Sequence, residues 1–165
     1  MANYTDSILQ SVSKSLGVDS TWLKALISFE SGWNPAAQNK LSGARGLIQF
    51  TNTTAKDLGY ASADDLYNKF PTADAQLQGP VLQYLNKYRP FTTKQSLYMA
   101  VFYPKARTWA LDTAFSDSIQ KLNPGVKTVG DYVNKVERRL GVKTIAAGSA
   151  IVLLLIFIIM RKYYS

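Results

Sequence analysis

The sequence predicts a mainly α-helical domain followed by one C-terminal membrane-spanning helix, and three observations predict it. Apolar residues recur at three- and four-residue spacing in a series of segments separated by glycine, proline and capping residues. A basic amphipathic stretch, "TVGDYVNKVERRLG", closes that series. It leads into Thr144–Met160, 17 residues without a charge.

In chain order, Ile8, Leu9, Val12 and Leu16 share one helical face, and Gly17 is a natural stop. Asp19 can cap a second helix with Trp22, Leu23, Leu26 and Ile27 on one face, ended by Gly32 and the Asn34-Pro35 turn. Residues 33–46 hold Pro35, Gly43 and Gly46 among polar spacers and read as a long loop with room for a short strand. Thr51 caps a helix to Leu58, Ser62 a short one, and Thr72 a longer one to about Tyr88. Within the last, Gly79-Pro80 should bend or interrupt the run. A further helical pattern covers Thr93–Phe102, and Pro104 opens another. Asn123-Pro124-Gly125 reads as a turn before the basic amphipathic helix.

Thr144–Met160 would reach about 26 Å as a helix, enough for a short membrane span. Lys143 on one side and Arg161-Lys162 on the other could snorkel to the headgroups, with Tyr163 and Tyr164 as interfacial aromatics. The N-terminal "MANYTDSILQSVSKSLG" reads as an amphipathic helix rather than a signal peptide. The expected organisation is therefore a helical domain over 1–125, a basic juxtamembrane helix or stalk over 126–143, an anchor over 144–160 and a short polar tail over 161–165. Such a chain is a tail-anchored single-pass membrane protein, and the flanking charges marginally favour the cytoplasmic side for its domain.

Composition excludes much chemistry. There is no cysteine and no histidine, which removes Ser-His and Cys-His catalysis and leaves carboxylates as the only metal ligands. Acid/base work falls to carboxylates, lysine or tyrosine, and no cofactor is called for. The net charge is +8, with seven basic and two acidic groups in residues 126–165. A basic surface suits an anionic lipid or cell-wall polymer. The first 125 residues hold no basic block with interleaved aromatics, so nucleic acid is not an expected partner.

Glu30 is the residue that most needs a reason. It is one of two glutamates, the other being Glu137, and it lies three residues after Ile27 and four after Leu26, on the apolar face of its helix. Burial there should raise its pKa, and the helix C-terminus pushes the same way. A carboxylic acid still protonated near neutral pH suits protonation of a glycosidic oxygen. The alternative is a structural ion pair, for which Arg45 is the nearest candidate. Gly43 and Gly46 allow close backbone approach to a ligand, and Gln49 offers a donor and an acceptor for sugar amides.

The stretch "ESGWNPAAQNKLSGARGLIQF" resembles the signature of the lysozyme-like lytic transglycosylases of the soluble-lytic type. Glu30-Ser31 matches the catalytic pair, Asn34-Pro35 the second element, and Gly43-Ala44-Arg45-Gly46-Leu47-Ile48-Gln49 the third. "TNTTAKDLGY" and "LYMAVFYPKA" fall where that family places its next helix and last cleft motif, so the resemblance spans roughly residues 5–110. It implies a goose-type lysozyme-like helical domain. It departs from the family at Ala100-Val101-Phe102-Tyr103-Pro104, where Phe102 stands at the family's tyrosine and Tyr103 at its asparagine. The loop before Gly43 holds an extra residue, so Asn39 or Ser42 takes the place of the family's substrate-contacting serine.

What the resemblance implies is peptidoglycan cleavage between N-acetylmuramic acid and N-acetylglucosamine, with glycan strands as the partner. Glu30 would act as acid and then base and close a 1,6-anhydro ring, with Ser31, Asn39, Ser42, Gln49, Phe50, Phe102 and Tyr103 binding substrate. Asp57, Asp64, Asp65 or Asp74 would have to fold back as a second carboxylate for a hydrolytic muramidase, although Asp64 and Asp65 suit a helix first turn. The altered last motif also admits an idle domain that binds glycan or holds a membrane assembly together. A cell-wall enzyme with an anchor and no export signal fits a bacteriophage whose particle contains a membrane, with virion membrane or capsid proteins as partners; the bacterial inner membrane is the other placement.

Overall fold

Capping residues and glycines set the helix boundaries, as their chemistry dictates. The computed structural model describes residues 4–141. Helix α1 (Asp6–Leu16) ends at Gly17, whose φ of 70° lets its N–H turn back to Lys14 and Ser13 carbonyls. Helix α2 (Ser20–Ser31) starts where the Asp19 carboxylate accepts from the Thr21 N–H, 2.7 Å, and ends at Gly32, φ 60°. Thr51 and Ser62 cap α3 (Asn52–Asp57) and α4 (Ala63–Lys69) in the same manner. Thr72 caps α5 (Ala73–Gln76).

The expected interruption at Gly79-Pro80 takes the form of a π turn over Leu77–Val81 that joins α5 to α6 (Leu82–Asn86). Pro80 has no N–H to give the ladder and its ring crowds the carbonyl four residues back, and Gly79, at φ −97° and ψ −106°, absorbs the misfit. Its glycine is required by space, since a Cβ there would lie 2.6 Å from the Phe70 ring. Helix α7 (Lys94–Phe102) opens on a reciprocal cap between Thr93 and Ser96. Pro104 begins only a 3₁₀ turn, Pro104–Ala106, before α8 (Asp117–Leu122) and α9 (Val129–Gly141).

The core forms around α2 and α7. Leu97–Phe102 are buried on all sides, as an apolar helix without a polar face must be. Residues 126–141, read from the sequence as a juxtamembrane stretch, contribute Val126, Val129, Tyr132, Val133 and Val136 to the same core. Helix α9 packs on α2 and α7 with that stripe and leaves Asn134, Arg138 and Arg139 exposed.

The expected C-terminal transmembrane helix, and with it the tail-anchored, membrane-bound placement, is corrected. Among the described residues no helix is long and apolar enough to cross a membrane. The last described helix, α9, has 13 residues and a charged face, and at 1.5 Å per residue it is only about 20 Å long. Residues 144–160, on which that expectation and the virion-membrane setting rested, lie outside the described residues, as does the 161–165 tail.

Candidate active site

Glu30 is 2% exposed at the C-terminal end of α2, on the face that carries Leu23, Leu26 and Ile27 into the core. Its carboxylate Oε1 accepts a hydrogen bond of 3.0 Å from the hydroxyl of Tyr132 on α9. The Tyr132 ring is held on two sides. Phe102 lies parallel to it at 4.2 Å and 10°, and Phe29 meets it edge-on at 5.6 Å. Arg45 is not the counter-ion of Glu30: its guanidinium pairs with Asp64 at 2.7 Å and lies 4.2 Å over the Tyr67 ring.

The chain leaves α2 through two left-handed residues, Gly32 and Trp33, φ 60° and 65°. Trp33 is fixed by packing: its indole N–H donates to Ser28 Oγ at 2.9 Å and its ring stacks on Tyr4. In the following loop Asn39 Oδ1 accepts from the N–H groups of Leu41 and Ser42, 2.9 and 3.2 Å, while the Asn39 backbone pairs with Gly43 and Ala44. Asn39 therefore builds the loop from inside, buried, and Ser42 sits half-buried on its turn with Oγ accepting from Ala44 N–H. Ser31 is half-buried beside Glu30, its hydroxyl donating to the Ile27 carbonyl at 3.3 Å.

Gln49 is 3% exposed and in the left-handed region at φ 53°. Its Nε2 donates to the carbonyls of Gly46 and Ala37, 2.9 and 3.4 Å, which orients the amide. Its Oε1 is buried without a hydrogen-bond partner among the described residues, and a buried acceptor in that state is suited to an incoming donor. Phe50 and Phe102 are both fully buried, Phe50 edge-on to Tyr84 and Phe102 stacked on Tyr132. Tyr103 sits at the α7 terminus with its ring against Trp109 and Phe115.

Two residues that matter here were missed at the level of sequence. Gln76, fully buried, accepts from Leu47 N–H at 2.8 Å and donates to the carbonyls of Pro35 and Phe70, each at 2.9 Å. It ties both ends of the Glu30–Gln49 loop to the α5 turn. The available signal was a polar residue in the apolar register of Ala73, Leu77 and Val81, the same signal that exposed Glu30. Tyr132 is readable as a core position, between Val129 and Val136, but its partner lies 102 residues away.

Of the four candidate aspartates, Asp57 is exposed on α3 and the other three are engaged elsewhere. Asp64 faces Arg45, and Asp74 accepts from the Thr5 N–H at 2.7 Å and from the Thr5 hydroxyl. Asp65 accepts from the Ala61 N–H and from Lys69, which hold its carboxyl below the ordinary aspartate range. Among the described residues no group of three or more acidic side chains could hold a metal ion.

The model of the transglycosylase SLT domain matches residues 7–90, α1 through the loop after α6. Nothing among curated proteins or solved structures matches the chain.

Proposed function

The chain belongs to the transglycosylase SLT domain family, whose members are lytic transglycosylases acting on peptidoglycan, and we propose that it cleaves the β-1,4 bond between N-acetylmuramic acid and N-acetylglucosamine with Glu30 as the one catalytic carboxyl group. The observation that carries this reading is the buried Glu30, set among apolar side chains with a neutral hydroxyl on Oε1 and with Arg45 engaged elsewhere.

In the first half of the cycle Glu30 gives its proton to the glycosidic oxygen and the bond to the muramoyl C1 breaks. In the second half the Glu30 carboxylate takes the proton of the muramoyl C6 hydroxyl, whose oxygen bonds to C1 and closes the 1,6-anhydro ring. The proton returns to Glu30, no water is consumed, and the second carboxylate of a hydrolase has no task. Support for this comes from three of the four candidate aspartates, Asp64, Asp65 and Asp74, which are committed to Arg45, Lys69 and Thr5. Gln49 Oε1 accepts a sugar amide N–H in this scheme, with Ser31, Ser42 and Tyr103 lining the approach, while Asn39, Phe50 and Phe102 hold the site's shape from behind.

Mass spectrometry of products released from purified peptidoglycan tests the reading, with the Glu30→Gln variant in parallel. Wild-type protein should release anhydromuropeptides, and the variant should lose at least about a hundredfold in rate. Products heavier by one water, with reducing ends, would identify a hydrolase. No products from folded protein would leave a glycan-binding role in its place.

A further inference from the structure

We propose that Lys87, Arg89 and Arg107 form an anion-binding surface that takes free carboxylates of the peptide stems on the glycan strand, an inference that rests on the transglycosylase reading for the identity of the strand. The three cations come from two loops, one following α6 and the other following α7. Arg107 joins the loops. Its Nη1 donates to the Tyr88 carbonyl and its Nε to the Pro104 carbonyl at 3.1 Å, while its guanidinium lies 5.1 Å from the centre of the Tyr88 ring. Lys87 and Arg89, both exposed, flank the residue that Arg107 grips, so three positive charges gather on one patch.

Elsewhere the fold pairs cations with carboxylates: Arg45 with Asp64, Lys69 with Asp65 and Lys94 with Glu137. Among the described residues none of the three patch cations has such a partner. Lys87 Nζ reaches the end of α3, yet it donates at 3.0 Å to the main-chain carbonyl of Asp57 and forms no ion pair with its carboxylate. Like charges this close repel one another, and an oxyanion seated among them relieves the repulsion. Arg107 is prepared for that role, because two of its nitrogens are fixed on carbonyls and Nη2 makes no hydrogen bond among the described residues. The patch also adjoins the candidate site. Pro104 follows Tyr103 directly, and the Tyr88 ring meets Tyr84 at 5.1 Å, which in turn meets Phe50, the neighbour of Gln49, at 6.3 Å. The sugars of a peptidoglycan strand are neutral, so its negative charges are the carboxylates of the stems, and a cationic patch beside the strand has those groups to meet.

The test is calorimetric binding to soluble glycan strands of equal length, with stems and with stems removed by an amidase, using the full chain with Glu30→Gln so that no strand is cut. Stem-bearing strands should bind about tenfold more tightly than bare ones, and the preference should shrink as salt rises from about 50 to 300 mM. Adding Lys87→Gln and Arg89→Gln, both at exposed positions, should bring the preference to within about twofold of unity. Arg89→Glu in place of that pair should turn it toward bare strands. Equal binding of the two strands, or a preference that survives the paired substitution and the charge reversal, overturns the proposal. So does binding of poly(glycerol phosphate) through these residues with no stem preference, which would assign the surface to a phosphodiester polymer. If the chain with Glu30 intact releases products while the two strands bind equally, this inference alone fails; if it releases none and neither strand binds, the transglycosylase reading fails with it.

Discussion

The candidate site depends on single residues in two ways, through chemistry and through support. Gln76 belongs to the second kind. Its side chain satisfies Leu47 N–H and the Pro35 and Phe70 carbonyls in a fully buried position, and its Oε1 would lie 2.5 Å from a Cβ at residue 46. Gly46 is therefore a glycine for two reasons, that contact and its φ of 82°. The sequence suggested that Gly46 makes room for a ligand; the structure shows that it makes room for Gln76. Replacing Gln76 by Met, similar in size but unable to hydrogen-bond, should strand those backbone groups and cost about 2–4 kcal/mol by urea unfolding. Gly46→Ala should destabilise by about 1–3 kcal/mol, combining positive-φ strain with displacement of the amide. A wild-type urea midpoint for either variant would remove Gln76 from its supporting role.

At the scale of elements, helix ends carry information that short helices need. Most helices of the domain are too short to be stable alone, so caps and tertiary contacts must define them. Helix α7 shows this best, because it presents no amphipathic stripe to orient it and relies on its capping box and on complete burial. Thr93→Ala should cost about 1 kcal/mol, and Thr93→Ser, which keeps the hydroxyl, much less, both read from urea midpoints. The caps at Thr51, Ser62 and Thr72 were legible because Ser and Thr compete for backbone N–H groups locally. The π turn was legible only as an interruption. Its form follows from the Phe70 ring packed where a Gly79 side chain would stand, a contact between separate segments.

On the scale of the whole molecule, the question is how α9 is kept on the domain. Its apolar stripe supplies the area and Glu137 the register. Burial pushes the Glu137 carboxyl up, but the hydrogen bonds from Lys94 and Tyr98 outweigh it and leave the group below its ordinary value of 4.5. A carboxylate whose pKa is depressed by folding contributes stability above its unfolded pKa and loses it as pH falls through the folded one. Glu137→Gln should thus lower the melting temperature at neutral pH, and the difference from wild type should close as pH drops below about 4. The comparison is read from melting temperatures across that range, and a difference that stayed constant down to pH 3 would show that the ion pair is not its source. Because Tyr132 and Glu137 lie on the same helix, the contact with Glu30 and the contacts with Lys94 and Tyr98 belong to the docking of one element.

By itself the sequence determined the helical class, most helix boundaries and the placement of Glu30 in a buried position. Those features follow from local rules: periodicity selects the buried face, and caps and glycines end helices. It also suggested a membrane helix, which no helix among the described residues provides. Tertiary structure alone decided that Arg45 pairs with Asp64, that Gln76 binds the loop, and that Tyr132 reaches Glu30. Each of these joins residues 19 to 102 positions apart, and a contact at that distance is set by how helices dock, which no window of neighbouring residues contains.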